Sequence, residues 1–555
     1  MNEIKSIIEK VVSKLFNSSL KIEISRPDYQ FGDYSTNIAL KLAPEVGTSP
    51  RIIAEQICNE LLVSHSEVIS SAQVVDPGFI NILLTNQYLI KLLDPRPSPT
   101  DKNKQIVIEY SDPNPLKILH VGHLYTSIIG DTIANLLELD GAKVHRVNFG
   151  GDIGRHVAMN IAVVMRRIEN DISNLNKIKE KDQAKFLSEC YIEGNRLYQE
   201  DQAFQTEVQE LNKVIYDIAI NNKNDSLLAE VYWTTRKWSY QYFAKFYGLF
   251  KIQFEKFYPE SSVAKLGVDI VQKNIPKVYT KSEGAVIFDG TQYGLNTYVY
   301  INSLGLPTYS AKDVGLIFQK WSDYNFNRSI VITGNEQDGY MKNVLKSVEM
   351  IDPELASKST HLTHGMVKLS GGQKMSSREG NVITAEDALE FAKQAALKIN
   401  PKTNSKIIIG AIKYAFLKQT YGPDVIYSPQ DAVSLEGNSG PYLQYSYARC
   451  FNILKKSKVK DYQKLSYSDL EDSERHFIYQ LSEFNEVLTE AINNLKPHLI
   501  CGYLYKIAQV FNRFYETNRV IGHDREEFRI NILAIYLNNL KQGLTILGID
   551  ILEKM

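Results

Sequence analysis

The stretch QIVIEYSDPNPLKILHVGHLYTSIIGD, residues 105–131, changes character twice. Its first residues make a near-continuous apolar run closed by Glu109, the pattern of a strand buried on both faces. A polar loop with Pro113 and Pro115 follows, and Leu124, Ile128, Ile129, Ile133, Leu136 and Leu137 then recur at helical spacing. Gly141 stops that helix, and KVHRVNF at 143–149 reads as the next strand. Strand, helix and strand within about 45 residues make a βαβ unit, the opening of a doubly wound α/β sheet.

At 555 residues the chain exceeds a single core, and ordinary domain sizes imply roughly three to four units. A hydrophobic fraction of 44% and a charged fraction of 23% place it among ordinary soluble globular proteins. No apolar run approaches the roughly 18 residues that a membrane span needs. MNEIKSIIEKVVSKLF at the start alternates charge with apolar residues and reads as a surface helix, with no secretory signal. Cys58, Cys190, Cys450 and Cys501 are scattered without a C-x-x-C pair, which argues against a zinc motif or a disulfide framework and for a reducing compartment, the cytoplasm. With a net charge of −1, a nucleic-acid partner would need a local basic face.

Farther along, residues 1–95 form a first unit that ends in the strand-like PGFINILL, and DPRPSPTDKNK at 94–104 reads as a linker. From about 155 to 260 the pattern is long, charged and helical, as in an insertion. GAVIFDG, NTYVYI, RSIVITG and HLTHGMVKL are expected to supply the second half of the sheet, and from about 440 onward the chain is helical and dense in tyrosine.

A helix that starts just after a buried strand points free N–H groups and a partial positive charge at the sheet's ligand edge, where phosphate binds readily. His120 and His123 share one side of its first turn, and Gly122 leaves room for a flat base. Histidine donors there stabilise charge building on a phosphate. The ordinary alternative is that the pair are only polar capping or surface residues. Much later, KMSSR at 374–378 follows the Gly371-Gly372 turn and places Lys374 and Arg378 on a loop.

H-x-G-H early and K-M-S-x-x about 250 residues later resemble the paired signatures of the class I aminoacyl-tRNA synthetases. The likeness narrows to the arginyl-tRNA synthetase family. EYSDPNPLKILHVGHLYTSIIGD, VNFGGDIG, EGAVIFDGTQYGL, GLPTYSAKDVGL, GNEQD, KMSSREGNVIT, GNSGPYLQYSYAR and NRFYETNRV are similar to its landmarks, in its order, and QFGDYSTNIALKLA resembles its extra N-terminal domain.

That resemblance implies a Rossmann-like class I synthetase catalytic core with an N-terminal α/β RNA-binding domain and a C-terminal α-helical bundle that binds the anticodon. The implied divisions are 1–95 for the N-terminal tRNA-binding domain, 96–385 for the catalytic domain with a helical insertion around 155–280, 386–440 for a connecting stem-contact region, and 441–555 for the DALR-type helical domain. The implied reaction is ATP-dependent activation of L-arginine to arginyl-adenylate and its transfer to the 2′-hydroxyl of the terminal adenosine of tRNA(Arg), by a cytoplasmic monomer with no membrane partner. Mg²⁺ accompanies ATP as co-substrate, and no protein-bound metal is expected.

By the same resemblance, His120, Gly122, His123, Lys374, Met375, Ser376 and Ser377 bind ATP, and His120, His123, Lys117 and Lys374 are catalytic. Glu109 and Asp313 meet the guanidinium, whose planar donors suit paired carboxylates. Asn114 takes the α-amino end, and Tyr309 and Gln337 line the pocket. Contacts to tRNA fall to Asp33, Tyr34, Asn37 and Phe79 in the first unit. In the last unit they fall to Tyr442, Gln444, Tyr445, Arg449, Asn512 and Arg513, because aromatics and arginine planes stack on unpaired bases.

The chain departs from the family pattern at Ser377, which stands where the loop's second lysine belongs. A cation missing beside the triphosphate costs on the order of several kcal/mol in the transition state, and Lys117, three residues before His120, is the natural substitute. Ile153 and His156 replace the usual tryptophan and glutamine, YINSLG replaces a more basic stretch, and the LGIDILEKM ending lacks a proline. Two rivals are a cysteinyl-tRNA synthetase and a catalytically silent tRNA-binding paralogue. The first would need zinc-ligand cysteines that the scattered four do not supply, and the retained Glu109, Lys117, His120, His123 and Asp313 stand against the second.

Overall fold

The computed structural model describes residues 1–93, 99–370, 383–459 and 469–555, apart from the side chain of Asn2. Lys374, Met375, Ser376, Ser377 and Arg378 lie outside the described residues. In the first unit, helices Asn2–Phe16, Ile38–Val46 and Pro50–Ser64 accompany an antiparallel sheet of β1 (Ile24–Ser25), β2 (Tyr34–Thr36), β3 (Ile69–Val75) and β4 (Phe79–Leu84), in the order β1-β2-β4-β3. Alternation along β4 turns Ile80, Ile82 and Leu84 into the core.

The predicted doubly wound core is built on β5 (Gln105–Glu109), β6 (Lys143–Gly150) and β7 (Lys256–Pro259). After a separate antiparallel sheet of β8 (Thr280–Ser282), β9 (Ala285–Phe288) and β10 (Tyr298–Ile301), the chain returns as β11 (Arg328–Gly334) and β12 (Ser359–His364). The main sheet is parallel throughout, in the order β12-β11-β5-β6-β7. Because β5 has β6 on one side and β11 on the other, the strand order switches there, and a crevice opens at the carboxyl ends of the two strands. The expectation that GAVIFDG and NTYVYI join this sheet is corrected: they are β9 and β10 of the smaller one. Alternation marks a strand but not its partner.

Five helices between Arg155 and Leu249 separate β6 from β7. The histidine helix, Val121–Leu139, presses on the core so closely that a Cβ added at Gly130 would lie 2.2 Å from the Tyr110 ring. Helices Glu260–Lys273 and Tyr309–Tyr324 approach as tightly, since a Cβ on Gly267 would lie 2.0 Å from the Ala311 carbonyl oxygen. That contact seats Tyr309 and Asp313 beside the sheet.

The last unit bundles helices Gly440–Lys456, Asp472–Ser482, Phe484–Asn494, Pro497–Thr517 and Glu526–Ile546 around buried Leu504, Phe511, Tyr536 and Leu540. Buried charge ties it to the first unit: Arg475 donates to the Asp33 carboxylate at 2.6 and 3.2 Å, and Arg26 to Glu486 at 2.8 Å. The expected tRNA contacts of Asp33 and Tyr34 are therefore corrected. Both are fully buried, Asp33 under Arg475 and Tyr34 with its hydroxyl donating to Glu486 at 2.6 Å, so neither presents a free group to a ligand. No helix among the described residues is long and apolar enough to cross a membrane.

Candidate active site

Between β5 and the histidine helix, Ser111, Asp112 and Leu116 take left-handed φ angles of 77°, 46° and 68°. Such conformations cost residues with a Cβ about 1–3 kcal/mol each and persist only where the surroundings impose them. The helix Leu227–Leu249 does so here. Its Tyr247 hydroxyl bonds Ser111 Oγ at 2.8 Å, Ser239 Oγ accepts from the Leu116 N–H at 2.9 Å, and the Tyr242 hydroxyl accepts from the Leu119 N–H at 3.2 Å. From β6, the Phe149 N–H donates to Asp112 Oδ1 at 2.7 Å.

His120 is the N-cap of the histidine helix. The His123 N–H donates to His120 Nδ1 and the His120 N–H to His123 Nδ1, both at 3.3 Å, and the rings stack 3.6 Å apart. The capping alternative is thus real for the backbone, but it does not exhaust the rings. Since each Nδ1 accepts, the proton of each neutral imidazole sits on Nε2 and is left to donate elsewhere. Burial, then the Lys117 and His364 charges, push His120 down to about 3, and burial holds His123 well below its ordinary value. Both rings are neutral donors near pH 7.

A cavity of about 680 Å³ opens at the sheet's carboxyl edge. Lys117, His120, Gly122 and His123 line it, and so do Glu109, Asn114, Tyr309, Asp313 and Gln337. Every described residue expected to hold ATP or arginine therefore borders one space. Lys117 is half-buried with Nζ 5.4 Å from the Tyr191 ring and no carboxylate partner among the described residues, and burial lowers its pKa.

The acidic groups are less free than the sequence implies. Lys320 donates to Glu109 Oε2 and Tyr340 to Asp313 Oδ2. Burial, reinforced by the Glu109 and Glu260 charges and opposed by the Tyr340 bond, pushes Asp313 up to about 7. Asn114 Oδ1 and Glu260 Oε1 crowd over Gly151, 2.3 and 3.3 Å from where its Cβ would be, and Glu260 is paired with buried Lys312. His156 donates from Nε2 to the Gly151 carbonyl at 2.8 Å, which leaves Nδ1 to accept from the Tyr309 hydroxyl at 3.2 Å. Sequence reasoning does not single out Lys320, Lys312, Glu260 or Asp112. For Lys320 a signal exists: Asp313, Leu316, Ile317 and Lys320 stand at i, i+3, i+4 and i+7, one helical stripe that ends in a lysine. Among the described residues no group of three His, Cys, Asp or Glu side chains could hold a metal ion.

The family model for class I tRNA synthetases (R), catalytic domain, matches residues 88–420. The chain belongs to the class I arginyl-tRNA synthetases. An arginyl-tRNA synthetase N-terminal domain matches residues 2–84 of this synthetase and a DALR anticodon binding domain residues 443–555. It is 28% identical to the arginine–tRNA ligase of Flavobacterium psychrophilum, over 99% of this chain and 98% of the relative, and 30% identical to that of Borreliella afzelii, over 82% and 80%. Its fold matches that of Thermus thermophilus arginyl-tRNA synthetase at a TM-score of 0.80 and 23% identity, each chain covered in full. The Plasmodium falciparum arginyl-tRNA synthetase gives 0.79 at 21%, over 100% of this chain and 99% of that one.

In the helical domain of this synthetase, Gln444 is corrected as a tRNA contact. It is fully buried and donates to the Asp550 carbonyl at 2.8 Å. Asn512 donates to the Tyr442 hydroxyl at 2.7 Å and accepts from Arg449 at 3.0 Å, while the Arg449 guanidinium lies 4.8 Å from the Tyr515 ring. Tyr445 and Arg513 are exposed beside this half-buried network. In the first unit Phe79 is 40% exposed at the head of β4, and Asn37 is half-buried just before the helix Ile38–Val46.

Proposed function

We infer that this chain is an arginine–tRNA ligase of translation and that the cavity carries out both half-reactions. One observation carries this reading: buried carboxylates and a stacked pair of neutral histidines border the same space, the first suited to a guanidinium and the second to a triphosphate. Glu109 and Asp313 receive the guanidinium, and Asp313 gives up its proton as it does so. Asn114 and Glu260 take the α-ammonium. A carboxylate oxygen of arginine then attacks the α-phosphate of ATP in line, and pyrophosphate leaves. The Nε2–H groups of His120 and His123 and the Lys117 ammonium offset the charge that builds on the phosphates. In the second step the 2′-hydroxyl of the terminal adenosine attacks the carbonyl carbon of the adenylate, and AMP departs. Mg²⁺ enters with ATP as part of the substrate, and residues 374–378 belong to the first step.

The N-terminal unit and the helical domain hold tRNA(Arg) through Phe79, Asn37 and the surface around Tyr445, Arg449 and Arg513. The working form is a cytoplasmic monomer, checked by light scattering for a 63.2 kDa species. ATP–pyrophosphate exchange, with and without tRNA(Arg), together with charging of tRNA(Arg), tests the whole reading. Exchange is expected with arginine and not with lysine, citrulline or cysteine, since a half-paired carboxylate pocket rejects the wrong ligand. Exchange driven by cysteine, or none with arginine under either condition, overturns it.

A further inference from the structure

Glu109 faces the substrate cavity, but half of its carboxylate is already engaged. Lys320 lies two turns beyond Asp313 on the same helix and donates from Nζ to Glu109 Oε2, with side-chain exposures of 1% for the lysine and 4% for the glutamate. Lys320 does not border the main cavity. It borders a small void of about 10 Å³ behind it, whose wall also includes Glu109, Asp313 and His361. Glu109 therefore lies between the two spaces, together with Asp313, Val331 and Met341. Its Oε2 is turned back to the lysine, and no described group donates to Oε1. A lysine buried this deeply is uncommon unless its charge is matched, and the group that matches it is the carboxylate expected to read the substrate.

We propose that Lys320 is a positioning residue for arginine recognition, gripping Glu109 from behind so that one carboxylate oxygen is held at the cavity as a fixed acceptor. This rests on Glu109 being an arginine ligand. The need for such a residue follows from the crowd of acids around it. Asp313 is buried and Asp112 half-buried, and desolvation with the Glu109 charge raises both above the ordinary carboxylate range. Across the void, His361 is neutral because burial pushes it down to about 4, and outside it Tyr340 is bonded to Asp313 and Lys312 is committed to Glu260. Lys320 is thus the one cation among the described residues that touches Glu109. A buried carboxylate stripped of its counter-charge neutralises itself by taking up a proton, and a carboxylic acid would meet the guanidinium with a donor where an acceptor is needed.

The test is arginine-dependent ATP–pyrophosphate exchange, with tRNA(Arg) present, on the full chain and its Lys320→Met, Lys320→Arg and Glu109→Gln variants. Lys320→Met is expected to raise the KM for arginine at least tenfold at pH 7.5, with kcat within threefold and the KM for ATP unchanged. Its KM for arginine should fall more steeply as pH rises than that of the parent, approaching two protons instead of one, and Lys320→Arg should restore both magnitude and slope. Should Lys320→Met not fold, Glu109→Gln/Lys320→Met removes both charges together and should fold with arginine affinity no better than Glu109→Gln alone. Equal damage to kcat and to the KM for ATP in Lys320→Met, or an unchanged pH slope, overturns the positioning role. If Glu109→Gln raises the KM for arginine while Lys320→Met does not, the positioning role alone falls. If Glu109→Gln leaves that KM unchanged, Glu109 does not read arginine and the proposal falls with it.

Discussion

The ion pair between Asp33 and Arg475 should behave as a latch between the first and last units, and its strength can be worked from its surroundings. Asp33 is fully buried, accepts from Arg475 at 2.6 and 3.2 Å, and also accepts from the Leu84 N–H at 2.7 Å. The Arg475 side chain is only 12% exposed. Asp33→Asn keeps the shape and the acceptor for Leu84 but leaves Arg475 without its counter-charge. Losing one partner of a buried pair costs about 3–5 kcal/mol, and the retained hydrogen bond points to the lower end. Removing both charges with Asp33→Asn/Arg475→Met should recover most of that, to within about 1 kcal/mol, because no unpaired charge is then left buried and the Leu84 hydrogen bond is kept. A chain of several units does not unfold in one step, so the readout is native-state hydrogen exchange at the β2 and β4 amides. A loss of about 3 kcal/mol in opening free energy speeds exchange there roughly a hundredfold, and the double variant should return to within about fivefold of the parent. If the single effects simply add in the double variant, or Asp33→Asn changes exchange less than about fivefold, the latch is not there.

Asp313, pushed up to about 7, must be ionised to hold a guanidinium, so the KM for arginine should rise about tenfold per unit as pH falls below 7 and level off above it; a flat profile between pH 6 and 8 contradicts this. Lys117→Ala should slow adenylate formation at least a thousandfold, the rate equivalent of the several kcal/mol that a cation near the phosphates supplies, whereas Ser377→Ala should stay within about threefold. Equal effects of the two in stopped-flow adenylation assays rule out the substitution of one cation for the other. Tyr445→Ala should raise the KM for tRNA(Arg) about tenfold, the loss of one stacked base, with arginine-dependent exchange left intact. A change in exchange but not in charging would move Tyr445 off the tRNA surface.

What could be read from the residues alone is what is local. The run into Glu109, the loop and the helical stripe from Leu124 specify β5, the turn and the histidine helix, because period and capping act within a few residues. The reciprocal bonds of His120 and His123 are likewise set by their spacing of three. Lys320 was half legible, as the end of a stripe that begins at Asp313. Its partner Glu109 stands 211 positions away on another element, and no periodicity reports such a pairing. The same distance problem misplaced Asp33 and Tyr34. A short motif marks them as important, but whether the cause is RNA or Arg475 and Glu486, more than 440 positions on, is settled only by the packing of the two units. For β9 and β10 the strands were visible and their sheet was not, since strand order is a property of topology.

The left-handed residues Ser111, Asp112 and Leu116 bear on how far this enzyme could be pared down. No residue between 152 and 259 borders the cavity, so the helices Arg155–Leu249 look dispensable to anyone seeking a minimal catalytic fragment. Yet Ser239, Tyr242 and Tyr247 are the clasps that keep that backbone wound against its preference. Excised, they would let the 111–116 turn spring toward ordinary angles and carry Asn114 with it. A shortened fragment would keep the whole parallel sheet and both signature histidines and still lose its grip on the amino acid.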